Sequence, residues 1–318
     1  MSLDALLFQA VNGLASASGL FLVAAGLSII FGVTRIVNMA HGSFYMLGIY
    51  LAASIARYWP GPLGFWGGIL IAVLVVALIG AVTEIVLLRR IYKAPELYQL
   101  LATFALLLVI NDATLAIWGP EDILGPRAPG LTGSVELLGR RLPEYDIFLA
   151  LAGPSVLIGL YLLLARTRFG RLIRAATQDR EMVAALGINE ALLFTAVFAL
   201  GAGIAGLGGA LQMAREPANL SLDLSVLGDA FVVVVVGGMG SIPGAYLAAV
   251  LVAEVKALCT ALGVVEIAGF TFNMSKLTLV AEFLVMAVVL VVRPHGLFGR
   301  PQPALAHGAA IEAPLRPM

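Results

Sequence analysis

The sequence predicts an all-α polytopic membrane protein, and three observations carry that expectation. Apolar residues make up 61% of the chain and charged ones 12%, with a mean hydropathy of +1.01, well outside the composition of soluble domains. The apolar residues fall in about eight runs of roughly 20, the length a helix needs to cross the hydrocarbon, where barrel strands would alternate over about 10. Short charged segments separate the runs. Net charge is zero, so nothing calls for nucleic acid.

The runs lie at 8–32, 36–57, 64–88, 97–118, 146–165, 191–214, 228–256 and 275–292. The first is expected to be retained as a span, because Asp4 and the lack of a basic residue before it argue against a cleavable leader. Residues 1–298 read as one membrane domain, with 166–190 as a cytoplasmic loop. The tail, 299–318, is rich in Pro, Ala and Gly and is expected to be disordered on the cytoplasmic side.

Across the first two runs, Gly26–Tyr50 places Arg35, Asn38 and His41 at a spacing of three, with Gly32, Gly42 and Gly48 around them. Lipid cannot satisfy such groups, so the stretch, including Gly42 and Tyr50, reads as pathway lining along one helical stripe. For two of these residues a plainer reading stays open: His41 as a helix-packing residue bonded to a carbonyl, and Arg35 as an interfacial, snorkelling side chain. In the fourth run Asn111 and Asp112 lie some 15 residues inside. Asp112 is therefore a candidate for the path, with hydrogen bonding between helices as the alternative. Glu84, Asp229, Glu254 and Glu282 lie near run ends and read as interfacial.

Orientation follows the basic residues. Arg89, Arg90 and Lys93, then Arg166, Arg168, Arg171, Arg174 and Arg180, then Arg293 and Arg300 mark cytoplasmic segments. The N-terminus and the loop at 119–145, whose charges balance, then face outward. Within 166–190, Leu172, Ala175, Ala176, Met182, Val183 and Leu186 recur at helical spacing beneath Arg171, Arg174, Gln178 and Arg180. That pattern suits a helix lying on anionic lipid, or one docking on a cytoplasmic partner, for which small residues and Gly187 permit close approach.

A single crossing by 228–256 would put the last basic segment on the wrong side. Gly237, Gly238, Gly240, Ser241, Pro243 and Gly244 forbid a continuous helix there, so two half-helices meeting at a turn and returning to the same side are expected. Gly48-Ile-Tyr50-Leu-Ala-Ala53 echoes Gly244-Ala-Tyr246-Leu-Ala-Ala249, the pattern of an inverted repeat, although so short a match also arises by chance. The chain has no P-loop around Lys93, Lys256 or Lys276, no zinc or nucleophile motif, and one cysteine, Cys259. It therefore reads as a transport protein and not an enzyme, with no cofactor or metal. An ion-coupled secondary transporter or channel using His41, Asp112 or Glu254 remains the competing class.

Gly26-Leu-Ser-Ile-Ile-Phe-Gly32 through His41-Gly42 to Tyr50 resembles the first signature of the permeases of branched-chain amino-acid ABC transporters, in particular the H-type subunit. Arg174-Ala-Ala-Thr-Gln-Asp179 with Ala185-Leu-Gly187, Gly237-Gly-Met-Gly-Ser241-Ile-Pro-Gly244, and Arg293-Pro-His-Gly-Leu-Phe-Gly299 resemble its later blocks, in order. The resemblance implies a multi-pass subunit of the bacterial inner membrane. It would pair with a second, related permease, two cytoplasmic ATPase subunits and an extracytoplasmic solute-binding protein. The segment with Arg171, Arg174, Ala175, Ala176, Gln178, Asp179, Ala185 and Gly187 would enter a cleft of the ATPase. Residues around Asn38–Tyr50 and Val236–Ala245, including Gly237, Gly238, Gly240 and Ser241, would line the route. Relatives of this kind carry branched-chain or other amino acids, amides, urea or aromatic acids.

Overall fold

The computed structural model describes residues 3–137, 140–178, 182–183, 187–267 and 270–299. Ten helices dominate: α1 Leu3–Thr34, α2 His41–Tyr58, α3 Pro62–Thr83, α4 Glu96–Trp118, α5 Glu144–Arg166, α6 Arg168–Gln178, α7 Glu190–Gln212, α8 Leu222–Gly237, α9 Ile242–Leu262 and α10 Thr278–Val292. α3 runs on through a π-helical turn, Glu84–Leu88, to Ile91. Among the described residues seven helical segments are long and apolar enough to cross a membrane; α2 and α8, at 18 and 16 residues, complete the bundle. Two antiparallel strand pairs, 134–137 with 140–143 and 264–267 with 270–273, are the sheet among the described residues.

Glycine decides how close these helices come. On α7 the run Gly201, Gly203, Gly206, Gly208 and Gly209 faces α1, α2 and α3, and a Cβ added at Gly209 would lie 2.0 Å from Tyr45 O. Small residues that let backbones touch are the usual means of packing helices where lipid provides no hydrophobic drive. α1 lies antiparallel to α9 along its length: Gln9 donates to Ala257 O (2.9 Å), Phe21 meets Tyr246 edge to face at 5.2 Å, and Gly32 lies beside Gly240.

The 228–256 run is broken as expected. α8 and α9 turn back on each other at Gly238–Ser241, with Lys256 bonded to Asp229 and Gly237 against Gly244. Their lengths differ from the expectation. At about 1.5 Å per residue α8 spans about 24 Å and α9 about 31 Å, because α8 begins at Leu222, so neither arm is a half-helix.

The bundle has two chemically distinct ends. One gathers the close of α1, the turn after α3, α6, the α8–α9 break and residues 293–299, and carries Arg35, Arg89, Arg90, Lys93, Arg168, Arg171, Arg174 and Arg293. The other gathers the start of α1, the 119–143 connection, the 213–221 connection and the second strand pair. There Ile123 pairs with Ala218, and Gly125 N donates to Met213 O at 3.1 Å, so the 119–143 connection is pinned to the 213–221 connection.

Candidate functional site

The stretch singled out from the sequence is a break between helices and not one helical stripe. Arg35 sits at φ 55°, the one non-glycine in the left-handed region among the described residues. Thr34 caps the end of α1 by accepting from Ile36 N, and Asn38 Oδ1 accepts from Ala40 N at 3.1 Å, an Asx turn that opens α2. Thr103 on α4 accepts from Met39 N at 3.2 Å and holds the break in place. The helical spacing of 35, 38 and 41 therefore does not survive: the backbone leaves the helix at the first of them and resumes it at the last. Arg35 is exposed at the basic end, whereas Asn38 and His41 are fully buried.

His41 Nε2 lies 3.0 Å from Val23 O. A carbonyl only accepts, so Nε2 carries the proton and Nδ1 is left as an acceptor, for which the protein supplies no donor. Ser28 Oγ, Asn38 Nδ2, Ser43 Oγ and Tyr50 OH are likewise buried without a hydrogen-bond partner. Each such group costs about 1–3 kcal/mol, and their concentration in 23 consecutive residues marks this part of the core as unlike an ordinary one. Gly42 lets α2 touch α8, since a Cβ there would fall 1.9 Å from Asp223 O. Tyr50 packs its ring at 5.3 Å from Trp118.

The second break lies beside the first. Gly238 (φ 98°) and Gly240 (φ 81°) make the turn, and Ser241 Oγ accepts from Gly244 N to cap α9. Residues 293–299 close over it: Leu297 N and Phe298 N donate to Val236 O (2.8 Å) and Gly237 O (3.0 Å), satisfying carbonyls that the end of α8 leaves free. Gly296, Gly299 and Gly238 meet backbone to backbone. Three stretches, residues 34–41, 237–244 and 293–299, are thus gathered at the basic end.

Of the neighbours Asn111 and Asp112, the amide and not the carboxylate joins helices: Asn111 Nδ2 donates to Asp223 Oδ2 and Leu220 O, both at 2.8 Å. Asp112 is exposed on the outside of α4. Glu84 and Glu282, read as interfacial, are instead buried and paired. Glu84 is reached by Arg89 (2.8 Å), Thr195 (2.6 Å) and Tyr92 (3.1 Å), and Arg89 also bonds Ala191 O, which ties the end of α3 to the start of α7. Lys256 bridges Asp229 (2.7 Å) and Glu282 (2.8 Å), joining α8, α9 and α10. The Lys256 cluster draws its members from three separate helices, and Thr195 reaches Glu84 from α7, so neither meeting could be read along the sequence.

α6 is amphipathic, with a face slightly rotated from the one expected. Ile173 and Ala176 are buried and Leu172 half-buried, while Ala175, Arg171 and Arg174 are exposed. Arg174 bonds Leu164 O at the close of α5. Gly187 has φ 78° and open space where a Cβ would be. Asp179 and Ala185 lie outside the described residues, as does the side chain of Gln178.

A family model described as the permease component of branched-chain amino acid transport systems matches residues 9–292, which takes in both breaks, α6 and every long helix. The chain belongs to that family. Among curated relatives, the permease protein BraD of the high-affinity branched-chain amino acid transport system of Pseudomonas aeruginosa is 29% identical over 92% of this chain and 96% of its own length. The LivH permease protein of Escherichia coli strain K12 is 25% identical over the same shares, and the LivM permease protein of that strain 27% identical over 90% of this chain and 69% of its own. No solved structure matches. Family membership decides between the two transport classes that the sequence left open, in favour of a permease component of a multi-part system embedded in the membrane by many spans.

Proposed function

We propose that this chain is one of two related permease subunits of an ATP-driven importer for branched-chain amino acids or similar small solutes. It forms half of a translocation pathway in the bacterial inner membrane and is driven by two separate cytoplasmic ATPase subunits. The observation that carries the reading is the family match across every long helix, with similarity to both LivH and LivM permeases. The basic end, with α6, is the cytoplasmic one, because short cytoplasmic segments collect Lys and Arg. The N-terminus and the pinned 119–143 connection face outward, toward a solute-binding protein.

A pathway shared by two chains is lined by residues exposed on each. In this conformation Asn38, His41, Tyr50 and Gly237 are buried within one chain, so they serve the pathway as packing, with Gly237 at the Gly238–Ser241 break and Tyr50 against Trp118 at the other end. Asp112 is placed differently. It sits among exposed Leu101, Phe104, Leu108 and Leu115 on α4, six residues from the helix end, where facing lipid would cost about 2.5–3.5 kcal/mol. That stripe faces the second permease or the water-filled path between them. The test is affinity purification from the native membrane followed by mass spectrometry and reconstituted uptake. Recovery of an ATPase and a second permease, with uptake that needs ATP and the binding protein, supports the reading; a chain that purifies alone and transports in ATP-free liposomes refutes it.

A further inference from the structure

A cavity of about 390 Å³ opens at the end opposite the basic one, between the start of α1, the connection after α7, and the facing parts of α8 and α9. Of the stretches expected to line the path, only Tyr45, from Asn38–Tyr50, reaches its wall. Its size falls within the range of small-ligand sites, and its walls carry charges of both signs: Arg215 and Lys256, Glu216 and Asp229.

The hydrogen bonds already made show what is left over. Arg215 uses Nε on Asp146 (3.0 Å), one terminal nitrogen on Ser16 (3.4 Å) and the other on Asn12 (2.7 Å). A guanidinium has five N–H groups, so Arg215 keeps donors for a ligand carboxylate. Glu216 takes the Tyr45 hydroxyl on Oε1 and Asp229 takes Lys256 on Oδ2, and both carboxylates line the cavity. Arg215 is paired with Asp146, and Lys256 with Asp229 and Glu282, which leaves Glu216 as the wall carboxylate with no ion pair among the described residues. That group favours a ligand that brings an ammonium. Beside the polar Gln9, Asn12, Ser16, Gln212 and Thr260, the wall has an apolar part, with Leu20, Val226, Ala253 and Ala257, that suits a short branched side chain.

We propose that this cavity is an outer solute site for a zwitterionic α-amino acid, with Arg215 receiving its carboxylate and Glu216 and Asp229 its ammonium. The assignment rests on the importer reading and adds to it a place in the permease where the solute's head group is recognised after release from the binding protein.

The experiment replaces Cys259, the one cysteine, by alanine and introduces Ser16→Cys, with Thr260→Cys as a second reporter, both at exposed positions on the cavity wall. The chain is co-expressed with its partner subunits, and modification by impermeant thiol reagents added from outside is timed. A cationic reagent is expected to react about tenfold faster than an anionic one of equal size. Millimolar leucine is expected to slow the reaction at least fivefold, while isoamylamine, 4-methylpentanoate and urea do not. Glu216→Gln or Arg215→Gln should abolish that protection in a complex that still co-purifies. Absence of protection by leucine at either reporter overturns the proposal, as does equal protection by isoamylamine or urea, or labelling only from the cytoplasmic side. Protection by leucine in a chain that recovers no ATPase would leave the site standing and sink the importer reading, so the two failures are distinguishable.

Discussion

Gly48→Ala tests whether the stretch around the first break is packed core or pathway wall. A Cβ at Gly48 would fall 2.2 Å from Gly206 O and 2.8 Å from Gly206 C and Cα, all of them backbone on α7. Ordinary van der Waals contact begins near 3.4 Å, so α2 and α7 would have to separate by about 1 Å. That movement is opposed on both sides, since Gly209 rests on Tyr45 O and Gly206 on Val76. Overpacking of this kind costs about 1–3 kcal/mol, and because no flexible side chain can yield, the upper value applies. The better helix propensity of alanine returns up to about 1 kcal/mol, which leaves a net loss of about 2 kcal/mol. Gly67→Ala is the control, with nothing within 4 Å of its Cβ and the same propensity gain. Melting of the detergent-purified complex should fall by several degrees for Gly48→Ala and not for Gly67→Ala, with uptake declining in step with folded protein. Equal melting of the two variants would refute the packing argument; unchanged melting with lost uptake would make the stretch a pathway wall.

Other substitutions probe the remaining clusters. Lys256→Met removes the cation between Asp229 and Glu282 and leaves two carboxylates uncompensated, so the chain should lose about 3–5 kcal/mol and accumulate poorly. Adding Glu282→Leu should recover part of that loss, measured as folded yield. Asp112→Leu should leave the melting of the isolated chain unchanged, since the side chain has no partner among the described residues, and should weaken recovery of the second permease or reduce uptake. Gly187→Leu must hold a side chain at φ 78°, at about 1–2 kcal/mol, and fill the open space there. Solute-stimulated ATP hydrolysis should then no longer drive uptake, and unchanged coupling would count against α6 and Gly187 as the ATPase contact.

Hydropathy and punctuation placed nearly every helix, because in a bilayer the backbone must satisfy itself and only long apolar runs can do so. Gly237 to Gly244 announced the second break for an equally local reason: no helix continues through three closely spaced glycines and a proline. The first break was harder to see. Arg35 and Asn38 are ordinary helix residues by propensity, and only the left-handed turn at Arg35 and the bond from Met39 to Thr103 on α4 decide that the helix stops there.

What hydropathy leaves out is direction. A helix that is apolar all round looks the same whether a given face meets lipid or another helix, so burial could not be read along the chain. Asn111 and Asp112 are neighbours, yet one ties α4 to Asp223 and the other faces outward. Glu84 and Glu282, near run ends, lie buried against partners 5 to 111 residues away in sequence. The cavity with Arg215, Glu216, Asp229 and Lys256 draws its walls from five parts of the chain. The sequence by itself determined a bundle of membrane helices, the break at Gly237–Gly244 and its basic end, since these depend on solvent and backbone alone. Which polar groups meet was decided by tertiary packing, because a buried charge is stable only where a partner from another helix arrives at hydrogen-bonding distance.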